Sequence, residues 1–190
     1  MPARATPLDP DEAFGLIPSH IRTQGELNEW EQLNVLNGQA WAFSRPDRED
    51  LLEEGFVRAL HAEMFGETWA WAGSFRATEK NIGVDPAQIG VKLRDLLGDA
   101  RYWLQHRTYA LDEACVRFHH RLVSIHLFPN GNGRHARMLA DVIVHRNGGA
   151  PFSWGSADLV RPGQARRQYI EALQRADQGD IAPLLRFARS

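Results

Sequence analysis

The sequence contains one cysteine, Cys115, among its 190 residues, so no internal disulfide bond can form. Cys115 lies in an apolar segment of helical periodicity with no base beside it, which indicates a small core residue rather than a nucleophile. The sequence also lacks an apolar signal core at its N-terminus and any apolar run long enough to span a membrane. We therefore expect a soluble, cytoplasmic protein without a membrane partner.

Charge of one sign is also scarce. The 22 lysines and arginines nearly balance the 24 aspartates and glutamates, which leaves a formal net charge of −2. Proteins that bind nucleic acids in general present an excess of positive charge to the phosphate backbone. The balance therefore predicts no general nucleic-acid binding. Hydrophobic residues make up 43% of the chain, which is enough for one globular domain with a sizeable core.

Apolar residues recur at intervals of three and four along most of the chain, which predicts an all-α fold. Residues 1–24 include four prolines and are expected to form an extended N-terminal arm, followed by a single domain over residues 25–190. A helix is expected after Pro46, with Asp47 as its N-cap and Phe65 near its end.

Residues 71–84 interrupt the helical pattern. A polar tip at residues 79–81 separates short runs that suit β-strands, which predicts one short hairpin. The alternative is a surface loop that pairs with nothing.

The most informative stretch runs from His126 to Arg137, between two apolar helical segments. Its Asn-Gly-Asn-Gly run, residues 130–133, adopts positive φ at low cost, so several backbone N–H groups can point into one concavity. A helix that starts near Gly133 adds unpaired N–H groups and the positive end of its dipole. Arg134 and Arg137 share one face of that helix, where a bound anion would offset the unfavourable position of two cations. The pattern predicts a polyphosphate site.

His126 stands directly before this loop, at the end of the helical segment that starts near Asp112. A neutral imidazole can accept the proton of a hydroxyl group while the oxygen attacks phosphorus. Taken alone, His126 could simply cap its helix. His119, His120 and His126 do not have the spacing of a zinc site, so no certain metal ligand is predicted.

The stretch resembles the signature of the Fic family, also called Fido and Doc-like, which reads His-x-Phe-x-(Asp/Glu)-Gly-Asn-Gly-Arg-x-x-Arg. The matching residues are His126, Phe128, Gly131, Asn132, Gly133, Arg134 and Arg137. Residues 61–83 look like the segment that leads into the family's substrate-guiding hairpin, and residues 169–184 resemble its closing helices. Residues 26–32, together with the run from Phe128 to Arg137, are similar to the subgroup called mobile mystery protein B.

The resemblance implies an all-α Fic-type domain with one short β-hairpin, the flap. It implies a protein adenylyltransferase that moves AMP from ATP to a Ser, Thr or Tyr hydroxyl of a target protein, with His126 as the general base. The phosphates would be held by Gly131, Asn132, Gly133, Arg134 and Arg137. The flap would bind the target through Thr78, Lys80, Asn81, Ile82 and Gly83. We expect Tyr169 to line the adenine pocket.

One position departs from the family pattern, because Asn130 stands where the family has the acid that holds magnesium. Mg²⁺ prefers carboxylates and substrate phosphates, and an amide oxygen is a weaker, uncharged ligand. We therefore expect ATP as the donor and Mg²⁺ with a weakened hold at Asn130.

Two alternatives stay open. The chain could transfer another phosphate-containing group, or it could be a nucleotide-binding toxin or interaction module with a degenerate metal site. The family's inhibitory pattern, (Ser/Thr)-x-x-x-Glu-(Gly/Asn), does not occur in the sequence, which leaves open a separate antitoxin as a partner.

Overall fold

The computed structural model describes residues 14–156, residue 159 and residues 163–190. These residues form α-helices joined by turns and loops, and the described part of the chain contains no β-strand, although isolated bridges occur, as between Leu16 and Trp69. The helices are α1 (Gln24–Phe43), α2 (Glu54–Phe65), α3 (Ile89–His106), α4 (Leu111–Ile125), α5 (Asn132–Arg146), α6 (Gln164–Asp177) and α7 (Ala182–Ala188). The predicted all-α fold is confirmed.

The chain divides into two compact units. The first unit contains the residues up to Arg76 together with Phe128–Gly131, and the second contains Ala77–Leu127 and Asn132–Ser190. The division into an arm over residues 1–24 and one domain over residues 25–190 stays a prediction. Residues 1–13 of that arm lie outside the described residues.

In the first unit, α1 packs against α2. Thr23 and Glu26 form a capping box at the start of α1, in which each side chain accepts a hydrogen bond from the other residue's backbone N–H. Gly38 brings the two helices together, because a Cβ at this position would lie 2.6 Å from the Met64 side chain. The apolar core of this unit includes Leu27, Phe56, Val57, Leu60, Phe65 and Trp69.

The predicted start of α2 is wrong. The helix begins at Glu54 rather than after Asp47, and Glu53 occupies the N-cap position. The Asp50 carboxylate accepts a hydrogen bond of 2.8 Å from the Leu52 N–H, and such a local turn competes with helix formation. Leu51 and Leu52 are buried in this turn, so the apolar pattern in the sequence begins before the helix does.

In the second unit, α4 packs against both α3 and α5, and α6 packs against α7. Cys115 is buried in α4, as predicted, and burial raises the pKa of its thiol to about 12. The helix α5 ends at Arg146, before Gly148, whose φ of +86° suits the end of a helix. None of the described helices combines the length and the apolar character that a membrane span requires.

The predicted hairpin is not confirmed. Residues 71–84 form turns and bends without a strand, and Gly83 has a φ of +105°. A hairpin of two short strands is marginally stable in water by itself, because it buries little apolar surface. The tip is exposed, including Ile82, whose side chain is 61% accessible.

Candidate functional site

His126 ends α4 in the left-handed conformation, with φ 58° and ψ 67°. A residue other than glycine rarely adopts positive φ, and such strained positions occur often at functional sites. The His126 N–H donates to the Leu122 carbonyl over 3.3 Å, and the side chain is half-buried. The neighbouring Ile125 carbonyl accepts a hydrogen bond of 3.3 Å from the Val84 N–H. This bond connects the end of the flap segment, residues 71–84, to the end of α4.

The loop from Phe128 to Gly131 belongs to the first unit, where it lies on α2. The Phe128 ring is fully buried and stacks on His61, with ring centroids 3.7 Å apart. Gly131 has a φ of +81°, and a Cβ at this position would lie 2.7 Å from the Phe65 ring. Both the backbone conformation and the close packing therefore require glycine at position 131.

His61 holds this loop and the base of the flap segment. Its Nδ1 accepts a hydrogen bond of 3.0 Å from the Gly73 N–H, so the proton of the neutral ring is on Nε2. Nε2 then donates to the Asn130 carbonyl over 3.0 Å. The sequence showed His61 only as part of the family likeness, and its two contacts, 12 and 69 residues away in the chain, carry no local signal.

Asn130 is exposed, and its side-chain oxygen accepts a hydrogen bond of 2.6 Å from the Gly131 N–H. The amide oxygen is therefore already engaged in shaping the loop. The described residues contain no group of three or more His, Cys, Asp or Glu side chains that could hold a metal ion. The residues present do not fit a magnesium ion held by the protein's own carboxylates.

The helix α5 starts at Asn132, one residue before the predicted position. Its first turn contains no acidic residue, and Arg134 and Arg137 are both half-buried. The Arg137 guanidinium folds back toward the start of the helix, because its Nη1 lies 3.5 Å from the position of a Cβ on Gly133. A cation therefore lies beside the first turn of α5, where the positive end of the helix dipole favours an anion.

Tyr169 supports Arg137 from α6. The guanidinium carbon of Arg137 lies 5.2 Å from the centre of the Tyr169 ring, and the Tyr169 hydroxyl lies 3.0 Å from Nε2 of His119. Tyr169 is only 7% exposed, and burial raises the pKa of its hydroxyl. Its predicted contact with adenine stays a prediction, and the structure gives the hydroxyl a partner inside the protein.

His119 and Asp141 extend this network, although the sequence predicted no role in the site for either residue. His119 is fully buried, and burial together with the charge of Arg137 lowers its pKa to about 3. Trp154 packs on the His119 ring at 4.6 Å and donates its indole N–H to Asp141 over 3.0 Å. Burial raises the pKa of Asp141 to about 6, against the opposing effect of its hydrogen bonds.

A family model described as the Fic/DOC family matches residues 51–144 of this chain, which include the whole run from His126 to Arg137. The chain belongs to the Fic/DOC family. The match also contains the flap segment, and it ends before Tyr169. The likeness to the mobile mystery protein B subgroup stays a prediction.

Two curated proteins illustrate the relationship to this Fic/DOC chain. Protein adenylyltransferase fic-1 of Caenorhabditis elegans is 32% identical over 123 residues, which cover 61% of this chain and 22% of that protein. Protein adenylyltransferase Fic of Nematostella vectensis is 42% identical over 119 residues, which cover 61% of this chain and 26% of that protein. The match thus spans about a quarter of the length of these relatives.

A solved structure shows the same fold. The BepC protein of Bartonella tribocorum, a VirB-translocated effector crystallised with AMPPNP, superposes on this chain with a TM-score of 0.68. The sequences are 19% identical, and the superposition covers 88% of this chain and 86% of BepC. The Fic-type helical fold predicted for this chain is therefore confirmed.

Proposed function

We propose that this Fic/DOC chain is a protein adenylyltransferase, a nucleotidyltransferase that moves AMP from ATP to a Ser, Thr or Tyr hydroxyl of a target protein. The observation that carries the proposal is the position of the Arg137 guanidinium, folded back on the first turn of α5 at Gly133. The N-terminal turn of a helix presents backbone N–H groups and the positive end of the helix dipole, which together favour an anion. The two adenylyltransferases at 32% and 42% identity support the same reaction.

His126 is the proposed general base. In the reaction, the hydroxyl oxygen of the target attacks the α-phosphorus of ATP while the bond from that phosphorus to the pyrophosphate oxygen breaks. The proton of the hydroxyl moves to the neutral imidazole of His126, and pyrophosphate leaves with the electron pair of the broken bond. The left-handed backbone at His126 ends α4 and presents the half-buried ring at its C-terminus.

The phosphates are held by residues with different roles. Asn132 and Gly133 supply backbone N–H groups at the start of α5, while Arg134 and Arg137 stabilise the charge of the β- and γ-phosphates. Gly131 contributes mainly its positive φ, because its N–H already donates to the Asn130 side chain.

Magnesium reaches the site on the nucleotide in this proposal. ATP phosphates supply most of the ligands that Mg²⁺ needs, and Asn130 adds at most a weak, uncharged one. The amide also forms a 2.6 Å hydrogen bond with Gly131, which it would have to give up to bind a metal ion. We therefore expect a weak dependence of nucleotide affinity on the residue at position 130.

The target protein binds along the flap, whose contacts we assign to Thr78, Lys80, Asn81, Ile82 and Gly83. These residues are exposed, and residues 77–83 form bends and irregular backbone rather than a strand. An extended target segment pairing with this backbone would gain affinity from main-chain hydrogen bonds with little side-chain selectivity. A separate antitoxin, ATP as the nucleotide and a cytoplasmic location remain parts of this proposal.

Isotope labelling tests the reaction. The purified chain and its His126→Ala variant are incubated with a pool of candidate target proteins and ATP labelled at the α- or the γ-phosphate. We expect protein labelling from α-labelled ATP alone, with loss of the label in His126→Ala and with unchanged unfolding curves for both proteins. Labelling from γ-labelled ATP would identify phosphate transfer, and equal labelling by His126→Ala would refute the role of the base.

One observation favours a second candidate. The Asn130 amide replaces the family's acid and is engaged in the loop, which suits a module that binds nucleotide without transferring it. Nucleotide binding by calorimetry without any label transfer to the target pool would support this alternative.

A further inference from the structure

The second unit contains a buried polar pair, which is formed by His119 on α4 and Tyr169 on α6. We propose that His119 and Tyr169 are positioning residues that hold the Arg137 guanidinium at the phosphate site without neutralising its charge. This inference rests on the proposed function, because it assigns a purpose to the support of a phosphate-binding arginine.

The Arg137 charge lies between Tyr169 and the first turn of α5. The guanidinium lies over the Tyr169 ring, with 5.2 Å between its central carbon and the ring centroid, and its Nη1 lies beside Gly133. The negative face of an aromatic ring attracts a cation within about 6 Å. Because Gly133 belongs to the first turn of α5, the ring holds the cation where the helix would receive an anion.

The hydrogen bond between Tyr169 and His119 has a definite direction. His119 is fully buried, and its pKa of about 3 keeps the ring neutral at physiological pH. The Ala136 carbonyl favours a proton on this ring, although no described residue gives Nδ1 a partner that meets hydrogen-bond geometry. We place the proton on Nδ1, since Nε2 is engaged by the Tyr169 hydroxyl at 3.0 Å. The hydroxyl then donates to Nε2, which increases the electron density of the Tyr169 ring and its attraction for Arg137.

An aromatic ring supports Arg137 differently from an acidic side chain. A carboxylate at this position would hold Arg137 more strongly, but it would also cancel its charge and compete with phosphate. The Arg137 guanidinium contacts the ring and the hydroxyl of Tyr169, a side chain without charge, while the charge of Asp141 acts on it from one helical turn further along α5. The pair therefore fixes the arginine and leaves its charge available to a phosphate.

Trp154 and Asp141 hold the His119–Tyr169 pair in place. Trp154 packs on the His119 ring with centroids 4.6 Å apart, and its indole N–H donates to Asp141 over 3.0 Å. Asp141 lies on α5, one helical turn after Arg137. The contacts thus run from Arg137 on α5 through Tyr169, His119 and Trp154 back to Asp141 on the same helix. Contacts on both sides restrict rotation of the His119 ring.

The test measures nucleotide binding by calorimetry with α,β-methylene-ATP, whose bridge between the α- and β-phosphates cannot be broken by transfer. Tyr169→Leu removes the ring, and we expect its affinity for this analogue to fall by about 3- to 30-fold, the range of a cation–π contact. Tyr169→Phe retains the ring, so we expect a smaller loss. Affinity for AMP, which lacks the β- and γ-phosphates, should stay unchanged in both variants.

A double-mutant cycle isolates the coupling between Tyr169 and Arg137. Arg137→Ala should weaken binding of the analogue, and Tyr169→Leu should cause no further loss in the Arg137→Ala background. Tyr109→Leu is the matched control, because the guanidinium carbon of Arg117 lies 4.5 Å from the centre of the Tyr109 ring. Tyr109 precedes the start of α4, whereas His126 follows its end. This control should leave binding of both nucleotides unchanged.

The outcomes separate the inference from the function on which it rests. If Arg137→Ala leaves binding of the analogue unchanged, the proposed phosphate site is wrong. If Arg137→Ala weakens binding but Tyr169→Leu does not, or if Tyr169→Leu weakens AMP to the same extent, the positioning role is wrong. His119→Leu combined with Tyr169→Phe removes both polar partners, so its unfolding curve shows whether a loss of binding comes from misfolding.

Discussion

Replacing Asp141 with asparagine tests how the ionisation of this carboxylate affects the free energy of unfolding. The Asp141 carboxylate is half-buried and accepts hydrogen bonds of 3.0 Å from the Phe152 N–H and from the Trp154 indole N–H. An asparagine side chain has the same shape and retains an oxygen acceptor for both donors. The substitution therefore removes the ionisable group while it keeps the contacts.

The magnitude follows from the shift of the pKa. Burial raises the pKa of Asp141 from 3.8 to about 6, and a shift of about 2 units corresponds to about 3 kcal/mol. Because the folded pKa is the higher one, the stabilisation by the bound proton is complete below pH 3.8 and is lost as the pH rises through 6. We expect Asp141→Asn to be up to about 3 kcal/mol more stable than the parent protein near pH 8, and about equal to it near pH 4.

The assay is urea unfolding of both proteins across this pH range, followed by circular dichroism. Only the difference between the two free energies of unfolding is interpreted, so the titration of all other groups cancels. Asp141→Ala is the control, because it leaves the Phe152 and Trp154 N–H groups without their acceptor and should destabilise the protein at every pH. A constant difference across the pH range, or an Asp141→Asn protein that is less stable near pH 8, would refute the reasoning.

Two further predictions concern the loop and the core. Gly131→Ala should destabilise the protein by about 1–3 kcal/mol and abolish nucleotide binding, because alanine is strained at a φ of +81° and its Cβ would meet the Phe65 ring at 2.7 Å. Urea unfolding and calorimetry measure the two effects, and an alanine variant that binds normally would contradict the packing. Cys115, whose buried thiol has a pKa of about 12, should react with a disulfide reagent only as fast as the protein unfolds. An immediate reaction in the native protein would show that the thiol is accessible.

The sequence predicts best where local rules and tertiary structure agree. The end of α4 at His126, the turn at Gly131 and the start of α5 follow from apolar periodicity and from residues that tolerate positive φ. The start of α2 was wrong because the Asp50 side chain closes a turn whose flanking leucines are also buried. The periodicity of apolar residues indicates which residues are buried, so a buried turn gives the same apolar pattern as a helix.

The support of the site was not readable from the sequence. His119 and Tyr169 are 50 residues apart, and His61 and Asn130 are 69 residues apart, so no spacing rule connects them. Tyr169 was assigned to adenine because it is a tyrosine in a closing helix of the family. Its burial and its contacts with His119 and Arg137 are properties of the packed structure alone.

The most direct test of the central claim is a crystal structure of the chain with α,β-methylene-ATP. The account predicts that the β- and γ-phosphates lie on the first turn of α5, in contact with Arg137, and that the α-phosphorus faces the His126 ring. Phosphates bound elsewhere, or an α-phosphorus on the side away from that imidazole, would contradict it.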